Sequence, residues 1–333
     1  MKTLHAVVAA LAILSAAPAY AVGSGLKVVA MYKIGGTGGW DYDNYDSVSH
    51  RLFITHGTSI AAVDTLTGKV TPHLADAGGA HIALPLADGK TVLLTQGKLN
   101  KASFIDAVTG VDLVDVPTAG KPDGAILDPL TGRVFVLDND SNEIDVIDPV
   151  TRSLIGKIAL AGAPESGAAD GSGLLYTHLE DKNAIVVIDT KALTVKTTYA
   201  LNDCNEPSGL ALVTGQNLLL SACKDGFARV TDATTGAEVA HLPIGLRADG
   251  ALYDAKTKRG YIPSGVGTLT VISFDGAPRV IEVVTTRPGA RTAALDPETG
   301  RIFLPYADLL PPAKAGERPS AIPDTFAVLV LGQ

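Results

Sequence analysis

The sequence predicts an all-β chain folded as a seven-bladed β-propeller, with four antiparallel strands per blade and the last blade closed by the N-terminal strand. Three observations predict it: a repeat of about 42 residues, a strand-and-turn texture inside every repeat, and a strand missing at one end of the chain that is found at the other.

The repeat comes first. The stretch "GAILDPLTGRVFVL" (Gly124–Leu137) is echoed by "TAALDPETGRIFLP" (Thr292–Pro305). Aligning the residue just before each small apolar run gives Asp41, His81, Asp123, Glu165, Ser208, Asp249 and Arg291, at spacings of 40, 42, 42, 43, 41 and 42. A β-sandwich has no reason to repeat at a fixed period, whereas stacked blades do.

Each unit then reads alike. A short apolar run leads into a turn rich in Asp, Pro, Thr and Gly. A second strand follows, as in "RLFIT", "TVLLT", "RVFVL" and "RIFLP". A third strand ends in Asp, as in "SIAAVD", "KASFID", "EIDVID" and "AIVVID", and a turn leads to a fourth. Asp opens such turns and Gly supplies positive φ. The composition agrees, with 35 Gly and 19 Pro among apolar residues that are mostly aliphatic. No helical apolar period longer than ten residues occurs outside the first segment of the chain.

The ends complete the ring. The seventh unit stops after "TFAVLVLG" (Thr325–Gly332), one strand short, while "LKVVAMYKIG" (Leu26–Gly35) precedes the first unit and has no other home. Pairing them removes exposed edges.

Residues 1–21 read as a cleaved secretory signal peptide: Lys2, an apolar run from Ala6 to Ala17, then "AYA" at Ala19–Ala21. The run is too short to span a bilayer, and no later segment looks transmembrane. The expected mature protein is a single propeller over 22–333, periplasmic or extracellular. An oxidising compartment allows the only two cysteines, Cys204 and Cys223, to form a disulfide, the alternative being two thiols that bind metal. The formal net charge of −8 and the scattered Lys and Arg argue against nucleic acid as a partner.

The chain resembles the YVTN-type, YncE-like β-propeller repeat proteins of bacterial periplasms. The residues that carry the likeness are "VIDPVTRSLIGKI" (Val146–Ile158), "VIDTKALTV" (Val187–Val195) and "KPDGAILDPLTGRVFVLD" (Lys121–Asp138). The resemblance implies that the first strand of each blade lines the channel. The loops before that strand, and those after the second strand, then open on one face.

Two sets of residues are expected there. The first is the ring Asp41, His81, Asp123, Glu165, Ser208, Asp249 and Arg291, flanked by Trp40 and Tyr42. The second is His56, Gln96, Lys98, Asp138, Asn139, Asp140, His178, Glu180, Asp181, Lys224, Asp225, Ser264 and Tyr306. A disulfide between Cys204 and Cys223 stiffens the same face. Asp64, Asp106, Asp148, Asp189 and Asp232 read as turn residues. His50 and His73 are placed in hairpins, and His241 in a fourth strand.

His56, His81 and His178 form a candidate divalent-metal set. The segment "GGTGG" (Gly35–Gly39) precedes no helix and reads as a connector rather than a phosphate cradle. The insertion Asp308–Pro323 reads as a mobile surface loop. There is no G-x-S-x-G, H-E-x-x-H, Walker or haem-attachment motif.

The expected function is non-catalytic binding of a small molecule or a protein partner at one channel face, by a monomer. Beside a purely structural, envelope-associated role, two stronger rivals stand. One is a metal-dependent, lactonase-type hydrolase using Asp123, Glu165, Asp249 and His81. The other is a periplasmic redox or metal-cofactor protein.

Overall fold

The computed structural model describes residues 23–312, 314 and 319–333. The proposed signal peptide lies outside the described residues. Seven four-stranded antiparallel sheets form in chain order, and a small two-stranded ribbon is added near the C terminus. The inner strands are Trp40–Asp46, Ala80–Pro85, Pro122–Leu127, Pro164–Ala169, Pro207–Val213, Leu252–Asp254 and Ala294–Leu295. The only helical element among the described residues is a 3-10 turn at Glu180–Lys182. None of the described helices is long and apolar enough to cross a membrane.

The echoed motif is a turn. In blade 3, Asp128 accepts hydrogen bonds from the backbone N–H of Leu130 and Thr131, and its backbone O accepts from Gly132 N. Blade 7 repeats this with Asp296 and Gly300. Gly132 and Gly300 both adopt φ of 70°, a left-handed conformation that glycine enters without a Cβ clash. The motif is written repeatedly because each blade must turn its chain at the same place.

Blade 7 closes the ring as expected. Its sheet runs Ala294–Leu295, Ile302–Tyr306, Ala327–Gly332 and then Lys27–Lys33 on the outside. The N-terminal strand pairs from Lys27 opposite Gly332 to Lys33 opposite Ala327. The seam with blade 1 is filled by Leu52, Ile54, Phe303, Phe326, Val328 and Val330, all buried. Burial of each such side chain contributes about 1.5–3 kcal/mol relative to exposure.

Cys204 and Cys223 form a disulfide with Cα atoms 5.2 Å apart. It ties the loop entering blade 5 to the end of that blade's second strand, and both residues are buried. His73 lies in the outer strand of blade 1 rather than in a hairpin, where it pairs with Asp76. The insertion in blade 7 is not a bare loop. Leu309–Leu310 pairs with Ser320–Ala321, and this ribbon reaches the channel face.

Candidate functional site

The ring residues are aimed by a shared defect in the inner strands. In blades 1 to 5 the inner strand shifts register against the second strand, between Trp40 and Asp43, Ala80 and Ala83, Pro122 and Gly124, Pro164 and Gly167, and Pro207 and Gly209. Each interval contains the ring residue of its blade. A bulge kinks the strand and redirects the side chain it carries. Buried threonines of the second strands fill the gaps so formed. Thr55 Oγ1 accepts from Asp41 N at 3.0 Å, and Thr95 Oγ1 accepts from Ile82 N at 3.2 Å.

Five ring residues and one neighbour, Lys121, then join into an arc of alternating charge. Lys121 Nζ lies 3.1 Å from Asp123 Oδ2, and His81 Nδ1 lies 2.7 Å from Asp123 Oδ1. The same nitrogen lies 2.7 Å from Asp41 Oδ2. Arg291 approaches Asp41 Oδ1 at 3.8 Å and donates from Nε to Asp249 Oδ2 at 2.6 Å. The arc thus runs from blade 3 through blades 2, 1 and 7 to blade 6. Arg291 also donates to the backbone O of Trp40, which locks blade 7 to blade 1 at this level.

The electrostatics follow from this order. Burial alone would lower the His81 pKa, but hydrogen bonds to Asp123 and Asp41 outweigh it and push the imidazole up to about 10. Asp41 is raised, chiefly by burial and despite its bond to His81. Asp123 is lowered: burial opposes, and His81 with Lys121 prevails. Glu165, on blade 4, has no cationic partner in the arc. Burial first, then the charges of Asp123, Glu180, Asp249 and Asp41, raise it well above the usual carboxylate range.

Two spaces lie along the channel. The outer one is a mouth of about 1010 Å³. Asp41, His81, Lys121, Asp249 and Arg291 line it on one side, with Lys98, Asp140, Lys224 and Arg247 towards the rim. Trp40, Leu309, Pro319 and Ala321 form an apolar wall. The inner space, of about 170 Å³, is lined by Tyr42, Asp43, Asn44, Glu165 and backbone of the inner strands. The Tyr42 hydroxyl there is buried without a partner, and burial raises its pKa well above the usual phenol value.

Several expected site residues are placed elsewhere. The three histidines do not converge. His81 is in the arc, but His56 is buried and stacked on Phe326, with ring centroids 3.9 Å apart. His178 is fully buried between blades 4 and 5, with Nε2 2.9 Å from Ser221 Oγ and Nδ1 3.3 Å from the backbone O of Ser208. Burial lowers its pKa to about 4, so it is a neutral packing residue. His178 lies one residue before the end of its strand, so the pleat turns it into the seam between blades.

Ser208 is also fully buried, and its hydroxyl bridges to the backbone O of Ala248 on blade 6. Tyr306 is buried, with its hydroxyl against Met31 Sδ and Arg287 over its ring. Glu180 stands behind the mouth, paired with Lys224. Glu165 belongs to the inner space and is absent from the lining of the mouth, and Asp123 is buried behind Lys121 and His81, so the four residues His81, Asp123, Glu165 and Asp249 do not share one cavity.

Sequence reasoning missed Lys121 and Arg247. Each stands two residues before a ring aspartate, in "KPD" and "RAD". Both hold left-handed backbone, at φ 55° and 59°. A non-glycine residue there costs free energy, of order 1–3 kcal/mol, and such residues cluster where function requires them. The matching positions in blades 2 and 7 are Gly79 and Gly289, at φ 67° and 88°. Glu206 holds the matching position in blade 5, also left-handed at φ 48°, so a charged residue in a conformation that glycine takes in two other blades was the available signal.

No protein-family profile matches the chain, and no curated protein matches it. Solved structures do. A chain from the crystal structure of the mitotic checkpoint complex superposes with a TM-score of 0.74 at 14% identity, covering 97% of this chain and 98% of that one. A chain of Kuenenia stuttgartiensis hydrazine synthase gives 0.69 at 18% identity, covering 80% and 92%. The fold is the seven-bladed β-propeller. At these identities the likeness extends to the fold alone.

Proposed function

We propose that this protein is an exported member of the YVTN-type propellers that binds a small molecule in the mouth of its channel. The carrying observation is the mouth itself: about 1010 Å³, with one apolar wall around Trp40 and one charged wall of Lys121, His81, Asp41, Arg291 and Asp249. Pockets of this size, mostly apolar with a few placed polar groups, are where proteins hold ligands. The two unlike walls fit an amphiphilic molecule, its apolar body on Trp40 and its polar head over the arc. The buried disulfide supports export, because such a bond persists in an oxidising compartment.

Trp40 is the sole tryptophan, so its emission reports on the mouth directly. The test is native mass spectrometry of protein purified from its own cells, with Trp40 emission followed as small molecules extracted from the same cells are added. A bound small molecule, lost together with the emission change in the Lys121→Ala/Arg291→Ala variant, is the expected result. A protein that carries nothing and whose emission never changes refutes the reading.

A further inference from the structure

We propose that Asp41, His81 and Asp123 form a three-ligand site for a divalent transition-metal ion of the zinc class. The assignment deepens the reading of the mouth as the binding site and rests on it. The three residues offer ligand atoms that all lie within 4.8 Å of one another, the only such group among the described residues. They come from the ring positions of blades 1, 2 and 3.

The geometry contains one acceptor too many for a proton. His81 Nδ1 is 2.7 Å from Asp41 Oδ2 and 2.7 Å from Asp123 Oδ1. A ring nitrogen carries at most one hydrogen, and one N–H cannot point at both oxygens. A cation placed between the three atoms satisfies all of them at once.

The remaining carboxylate oxygens are already held. Asp123 Oδ2 faces Lys121 at 3.1 Å, and Asp41 Oδ1 faces Arg291 at 3.8 Å. Each aspartate is thereby oriented with one oxygen on a cation and the other on the shared point, which is how outer partners position metal ligands. The mouth lies to one side of this point and leaves coordination positions open to water or to a ligand, the pattern of a reactive rather than a sealed site.

The donor set selects the ion. One imidazole nitrogen with two carboxylate oxygens suits Zn²⁺ and its neighbours, whereas Ca²⁺ takes about six to eight oxygens. Zinc bonds of about 2.0–2.2 Å put tetrahedral ligands about 3.3 Å apart, so the three atoms must open by roughly half an ångström. Rotation about the side-chain bonds of His81 and Asp41, which line the mouth, accommodates that. Binding replaces the proton on Nδ1 with the ion and releases that proton to solvent.

The test uses the full mature chain stripped with a chelator, with metal alone and no organic ligand. Calorimetric titration with Zn²⁺, and Co²⁺ as a visible stand-in, should show one ion per chain and ligand-field bands. His81→Gln and Asp123→Asn should each weaken binding by about 100-fold or more. His73→Gln, an exposed histidine outside the site, should change nothing. Circular dichroism checks that each variant folds, and Asp41→Asn replaces any that does not. Absence of saturable binding, or binding that survives these variants, overturns the proposal. Because Trp40 emission with organic molecules is measured separately, loss of the metal site alone leaves the small-molecule reading standing.

Discussion

Replacing Asp138 by asparagine should stabilise this protein at neutral pH. Asp138 ends the second strand of blade 3 and is fully buried; neither carboxyl oxygen makes a hydrogen bond of good geometry, and the contacts from the Asp145 backbone and the Thr118 hydroxyl offset only part of the cost. Asp145, on the adjacent strand, is also fully buried. Burial, and then the charge of Asp145, push the Asp138 pKa from 3.8 up to about 8. At pH 7 the folded protein therefore keeps a proton that the unfolded chain has lost.

The penalty grows as pH rises from about 4 and is complete above about 8; below 4 it vanishes because both states are protonated. At pH 7 the gap is about three units, or about 4 kcal/mol. Asparagine has the same shape and cannot ionise. Guanidinium unfolding of both proteins at pH 5 and pH 8 is the assay. The parent should lose about 4 kcal/mol more than the Asp138→Asn variant between these pH values. Parallel profiles would refute the reasoning, because they would mean that Asp138 titrates normally in the fold.

Three further outcomes are expected. Replacing Cys204 and Cys223 by serine should cost about 3 kcal/mol in a denaturant melt, because the bridge closes a separation of 19 residues; an unchanged midpoint contradicts this. Deleting residues 23–34 should expose the edge of Ala327–Gly332 and cause aggregation on size-exclusion chromatography, since that edge has no other partner; a monodisperse, cooperatively melting product shows that closure is dispensable. His178 has a folded pKa of about 4 against 6.5 unfolded, so its contribution is lost as pH falls from 6.5 to 4. The His178→Gln variant should lose about 3 kcal/mol less over that range in acid unfolding, and an equal loss counts against a buried neutral imidazole.

The sequence alone determined the fold. Blade number, strand count, turn positions and ring closure are local properties repeated at a fixed spacing, and each repeat carries its own Asp and Gly turn signals and its own apolar strands. The disulfide was legible for a related reason: an isolated pair of cysteines brackets one blade's first hairpin. The ring of Asp41, His81, Asp123, Glu165, Ser208, Asp249 and Arg291 was legible as a set of positions, because it is the place where the repeat varies.

Only the tertiary structure decided which of those residues meet. The partners are about 40 residues apart in the chain, and their contacts cross from blade to blade, where no local periodicity reaches. Bulges set by Thr55 and Thr95 turn Asp41 and His81 towards the channel, while Ser208 turns into the seam with blade 6. His81 sits at a bulge of an inner strand, whereas His178 is carried by a second strand that packs into the seam between blades 4 and 5. His81 faces two aspartates at the mouth while His178 is sealed against Ser208 and Ser221 between blades, and two histidines read alike from sequence thereby acquire pKa values of about 10 and about 4.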